Sequence, residues 1–111
     1  MKEWLMPPNP KFVYVTVESP DEARILARDV VERKLAACAN ILPGVTSIYR
    51  WKGIIQEDSE TVLILKSTAD NIAALTEAIR ENHSYDCPCI VALPIEGGNT
   101  GFLEWIDQET I

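Results

Sequence analysis

The chain has 111 residues, with 17 acidic against 10 basic side chains, and so a formal charge of −7. That length suits one domain with a small core, and the acidic balance without a basic stripe argues against nucleic acid and anionic membranes. Hydrophobic content of 47% with 24% charged residues is globular rather than disordered composition.

Residues 1–11 hold Pro7, Pro8 and Pro10 and read as an irregular arm, leaving 12–111 as the domain. The arm has no uninterrupted apolar run suited to a signal peptide, and no stretch approaches the ~18 apolar residues of a membrane span. Cys38, Cys87 and Cys89 cannot all pair with one another. A cytosolic location with reduced thiols is therefore expected.

Phe12–Val17 is rich in β-branched and aromatic residues and reads as a buried strand. Ser19-Pro20-Asp21-Glu22 starts a helix: Ser19 caps, Pro20 takes the first helical position and Glu22 lies three residues after the cap. Ala23, Leu26, Ala27, Val30 and Val31 fall on one face of that helix, which ends near Leu35. A long extended run follows to about Ile55, with Pro43-Gly44 read as a kink inside it. Its apolar residues occupy both faces, Val45, Tyr49, Trp51 and Ile55 on one and Ile48 and Ile54 on the other. A strand apolar on both faces in so short a chain needs a second layer, and another copy of the chain is the expected source.

Gln56-Glu57-Asp58-Ser59 reads as the hairpin turn, and Thr61–Lys66 as a central strand. A second helix is expected from about Asp70 to Asn82, burying Ile72, Leu75 and Ile79. Cys89–Ile95 is a strand whose Pro94 marks an edge or an end. Gly97-Gly98-Asn99 is a loop, and Phe102–Ile106 opens a short C-terminal helix. Strand, helix, strand, strand, helix, strand is the order of an α+β, ferredoxin-like split βαβ sandwich, with both helices on one face. The other face, left bare, suits packing of sheet on sheet between copies.

Cys87-Pro88-Cys89 is the sharpest chemical feature. Residues i and i+2 of an extended chain project to one side, so two thiolates could grip one soft cation such as Cu(I). His83, the only histidine, could add a third ligand; its structural alternative is to cap the helix before it. For Cys87 and Cys89 the alternative is two unrelated thiols beside a strand. Cys38, among Ala36, Ala37 and Ala39, reads first as a packing residue and only weakly as a soft ligand. Tyr49, Trp51, Glu60, Lys66 and Tyr85 form a polar and aromatic set. They could wall a cleft for an anion held by Lys66, or serve as interface packing with Lys66 paired to Glu60 across the hairpin. No G-x-S-x-G, Walker loop or His-x-x-x-His pair occurs, so no enzyme is expected.

Several segments together resemble the CutA family of divalent-cation-tolerance proteins. They are Leu35–Pro43, Ser47–Gly53, Leu65-Lys66-Ser67, His83-Ser84-Tyr85, Leu93-Pro94-Ile95 and Leu103–Ile106, covering roughly 12–107. The resemblance implies a trimer built through sheet-edge and sheet-face contacts, architecturally similar to PII signalling proteins, and a part in tolerance to copper and other divalent metals. The family pattern reads His-Pro-Tyr and then Pro-Glu, whereas this chain has Ser84 after His83, an added Cys87, and Cys89 in place of the acid. Some members carry further ligands where this chain has Val17 and Asn82, so only His83 of that copper set is present. Two functions follow as expectations: a copper-binding metal-tolerance trimer using Cys87, Cys89 and His83, or a PII-like regulator holding a small anion or a partner protein in clefts between subunits.

Overall fold

Val13, Val15 and Val17 are fully buried while the alternate residues Phe12 and Tyr14 are only half-buried, so over most of its length the first strand shows a closed face and an open one; Thr16, on the open side, is buried near the strand's end. The computed structural model describes residues 9–111. The elements are β1 (Pro10–Val17), α1 (Pro20–Glu32), β2 (Cys38–Trp51), β3 (Ile54–Thr68), α2 (Ile72–Asn82), β4 (Ile90–Pro94) and α3 (Thr100–Gln108). A single 3-10 turn, Ala69–Asn71, leads into α2. The arm expected over 1–11 lies mostly outside the described residues, and its end is corrected: Pro10 and Lys11 already pair with Thr68 and Ser67 as part of β1.

All strands are antiparallel, in the order β2-β3-β1-β4, and β3 is therefore central as expected. On the closed face Val13 sits opposite Leu65 and Ala92, and Val15 opposite Leu63 and Ile90. Leu26 and Val30 of α1 and Leu75, Ala78 and Ile79 of α2 cover that face in one core. The Ser19 hydroxyl accepts from the Glu22 amide at 3.2 Å, and Pro20 opens α1, as the capping pattern predicts. Val31, expected on the buried face, is instead 36% exposed, because α1 lays only the Leu26–Val30 stripe on the sheet. A smaller core forms where Leu103 and Ile106 of α3 meet Ala37 and Ile95.

The open face carries Phe12 and Tyr14 of β1, Ile64 and Lys66 of β3, Val91 and Leu93 of β4, and Cys38, Asn40 and Leu42 of β2. Thr16 and Val62 at one end of this face are buried, whereas Leu42, Val91 and Leu93 are each close to half exposed.

The hairpin differs from expectation. Gln56-Glu57-Asp58-Ser59 is strand, and the turn is Lys52-Gly53, with φ of 51° and 81° and Trp51 paired to Ile54. Positive φ at both central residues is the type I′ geometry, whose twist matches that of the flanking strands. The Arg50 guanidinium donates to the Gly53 carbonyl at 3.3 Å across this turn. A two-residue turn sets residue 51 beside 54, so Ile54 shares the face of Tyr49 and Trp51 while Ile55, opposite Arg50, shares that of Ile48. The two isoleucines thus exchange faces relative to the reading of one unbroken strand. Pro43-Gly44 is a kink inside β2, as expected: the register shifts between Leu42 and Val45, and Gly44 has φ of 74°. Beyond this bulge the two strands run on as an arm clear of the helices. It stretches the molecule to 55 × 25 × 22 Å and gives a radius of gyration of 15.2 Å. A compact domain of this size would measure about 13 Å.

Candidate functional site

The bulge, the turn and the loop after α2 together make one cleft. Ser47, Tyr49 and Trp51 of β2 pair with Asp58, Gln56 and Ile54 of β3, so the open face of the sheet continues along one side of the arm. The loop after α2 stands beside that side. Between them lies a cleft of about 730 Å³ whose lining includes Glu18, Asp58, Glu60 and Asp86, the aromatics Tyr49, Trp51 and Tyr85, and the thiols Cys87 and Cys89. Among the described residues that line it there is no lysine, arginine or histidine.

His83 anchors the loop. Its side chain is fully buried, with Nε2 2.8 Å from the Thr16 carbonyl and Nδ1 3.0 Å from the Tyr85 amide. A carbonyl can only accept and an amide N–H can only donate, so Nε2 carries the proton and Nδ1 offers its lone pair. Both ring nitrogens are thus committed to the backbone. Glu22, at the start of α1, accepts from the Ser84 amide at 3.0 Å and the Ser84 hydroxyl at 2.9 Å. The Tyr85 hydroxyl then donates to Glu60 on the arm at 2.7 Å. One turn of chain therefore ties β1, α1 and β3 together. Burial, and after it the bond to Glu60, pushes the Tyr85 phenol well above its usual range. The Tyr49 hydroxyl bonds Asp58, and chiefly that bond raises its pKa as well. Both phenols stay protonated donors, and both tyrosines line the cleft.

Of the residues singled out in the sequence, Tyr49, Trp51, Glu60, Tyr85, Cys87 and Cys89 share this cleft. The other three lie elsewhere. Lys66 is on the open face of the sheet opposite Cys38 and Phe12, where its ammonium bonds the Asn40 side chain. The expected Lys66–Glu60 pairing is corrected, since six residues along one strand span about 20 Å. Cys38 is half buried on the sheet edge beside Lys66 and borders a shallow groove against α1; burial raises its thiol pKa, and Lys66 opposes that. His83 stays under the loop with no free nitrogen, rather than joining the two cysteines. Among the described residues no three histidine, cysteine or acidic side chains converge on a point where a metal would sit. Val17, where some family members carry a ligand, is fully buried in the core.

The cleft also holds residues that the sequence does not single out: Glu18, Asp58 and Asp86. Asp58 falls in a polar cluster that reads as a turn, and a Lys-Gly pair, lacking the asparagine or aspartate of the common type I′ signal, does not compete with it. With the turn at Lys52-Gly53, strand alternation puts Asp58 and Glu60 beside Ser47 and Val45.

Residues 11–109 match the family described as CutA1 divalent ion tolerance protein. The chain belongs to that family. It is 47% identical over 98 residues to the chloroplastic protein CutA 1 of Oryza sativa subsp. japonica, a match covering 88% of this chain and 55% of the rice protein. The chain thus spans little more than half the length of that relative. Among solved structures, the divalent cation tolerance protein from Thermus thermophilus superposes with a TM-score of 0.89 at 46% identity, covering 91% of this chain and 98% of that one. A structure from Archaeoglobus fulgidus, titled a periplasmic divalent cation tolerance protein CutA, has a TM-score of 0.87 at 40% identity, covering 90% and 97%.

Proposed function

We propose that the chain is a non-enzymatic homotrimer, each subunit a ferredoxin-like split βαβ unit, that contributes to metal tolerance by binding divalent cations, copper among them, in the cleft under its arm. The observation that carries this reading is the cleft's lining: among the described residues it has four carboxylates and two thiols and no cationic side chain. Such a lining attracts cations and repels anions. Copper(II) stands above zinc in the affinity order of nitrogen, oxygen and sulfur sites, so a cleft that holds zinc holds copper more tightly. The trimer rests on the apolar residues along both faces of the arm and on the uncovered open face of the sheet. We place the protein in the cytosol, a reducing compartment that suits its three unpaired cysteines. The rice relative's name instead says chloroplastic, and the Archaeoglobus title says periplasmic.

The PII-like alternative with a small anion finds less support, because Lys66 lies outside the cleft and no cationic side chain among the described residues replaces it there. Calorimetric titration with zinc, a redox-silent probe, tests the preferred reading. Asp58→Asn combined with Glu60→Gln is expected to weaken zinc binding at least tenfold while leaving the Tyr85 bond an acceptor. Equal affinity in wild type and variant would count against the cleft as the cation site.

A further inference from the structure

We propose that Cys87 and Cys89 form a two-thiolate site for soft divalent ions that prefer linear coordination, the class of mercury(II). The proposal rests on reading the cleft as a cation site and names the kind of cation that its thiol end selects. Both cysteines are exposed and unpaired, and both line the cleft. The Cys89 carbonyl accepts from the Thr16 amide at 3.4 Å, which continues the β1–β4 ladder one residue beyond β4. Pro88 fixes its own φ, and its ring holds Cys87 away from helical geometry. The chain bends at Cys87 and joins the ladder by Cys89; even a fully extended chain would set positions i and i+2 no more than about 6.6 Å apart. A linear ion needs its two sulfurs about 4.6 Å apart, twice a metal–thiolate bond of about 2.3 Å. Two side chains no further apart than that, both on the cleft lining, reach the required separation by rotation about χ1.

Coordination number follows from what is missing beside the thiols. His83 has both ring nitrogens bonded to backbone, and Cys38 lies on another part of the sheet. No third soft donor is present among the described residues at the cleft. Two-coordinate ions are thus favoured over zinc-like ions, which seek four ligands.

Charge then decides between monovalent and divalent members of that class. Binding replaces the two thiol protons, which leave to solvent. A divalent ion therefore gives a neutral bis-thiolate, while Cu(I) or Ag(I) gives a complex with one net negative charge. Glu18, Asp58, Glu60 and Asp86 line the same cleft and repel the second product but not the first.

The test uses reduced, full-length protein in its native assembly and in a Cys38→Ser background. It is titrated with mercury(II) in excess 2-mercaptoethanol, so that only a chelating pair retains the ion. The expected result is one mercury per chain, a native mass gain of one mercury less two protons, and loss of both remaining titratable thiols. Cys87→Ser and Cys89→Ser are each expected to lower retention at least 100-fold, with the circular dichroism spectrum unchanged. Retention that survives either serine, or consumption of one thiol per ion, overturns the site. Asp86→Asn is expected to raise silver(I) affinity several-fold and leave mercury(II) affinity unchanged; an equal response of the two ions overturns the charge argument. If mercury goes to both thiols while zinc ignores Asp58 and Glu60, the thiol site stands and the wider cleft reading fails. Zinc binding that depends on those carboxylates without mercury chelation gives the reverse.

Discussion

Tyr85 and His83 show how one short loop is fixed residue by residue. Burial and the Glu60 carboxylate raise the folded-state pKa of Tyr85 above the value near 10 of a free tyrosine. A raised folded pKa means that the stabilisation is complete below about pH 10 and is lost as pH climbs through the folded value. In an alkaline titration followed at 295 nm, Tyr85 and Tyr49 should both ionise later than free tyrosine, Tyr85 together with loss of structure; Tyr85→Phe should remove one phenol from that late step. A late step of undiminished amplitude in the phenylalanine variant would mean that Tyr85 takes no part in it. His83→Ala leaves the Thr16 carbonyl and the Tyr85 amide without their partner under the loop. A loss of about 2–3 kcal/mol in urea unfolding is expected, from unpaired buried groups. His83 stands out in the sequence as the only histidine, but one sequence does not tell a loop anchor from a ligand. That choice depends on Thr16, 67 residues earlier in the chain.

At the scale of elements, local rules are enough where local chemistry decides. The Ser19 cap, the Pro20 start of α1, the kink at Pro43-Gly44 and the apolar centre of β3 all stand where residue pattern puts them. Apart from the exposure of Val31 and the early start of β1, the failures that bear on the cleft come from one turn. Lys52-Gly53 carries no strong signal, whereas Gln56–Ser59 is polar enough to imitate a loop. A turn placed there moves Ile54 and Ile55 to the wrong faces and hides Asp58 from the cleft. The turn's cost is open to measurement. A Cβ at residue 53 would meet no atom within 4 Å, so Gly53→Ala suffers only from its φ of 81°. About 1–2 kcal/mol of destabilisation is expected. Lys52→Asn, better suited to positive φ, should be neutral or stabilising by a few tenths of a kcal/mol. A neutral Gly53→Ala would show that the turn is not type I′ in solution.

For the whole molecule, the arm is the dominant fact. Ile48 is 68% exposed and Ile55 58% on one side, with Ile54 62% and Trp51 50% on the other. Covering each such side chain contributes about 1.5–3 kcal/mol, and none of the described elements reaches them. The need for a second layer is legible in the sequence from apolar residues on both faces, although their assignment to faces is not. Ile48→Glu together with Ile54→Glu should shift sedimentation from trimer to monomer while helix content is kept; an unchanged trimer would place the interface elsewhere.

The most direct measurement is a native mass spectrum of the reduced protein, with and without stoichiometric zinc, for wild type and for the Asp58→Asn, Glu60→Gln variant. A trimer that carries three zinc ions in the wild type and none in the variant is the predicted result. A trimer that stays metal-free, or one that keeps its three ions after the two carboxylates are neutralised, would contradict the assignment of cation binding to this cleft.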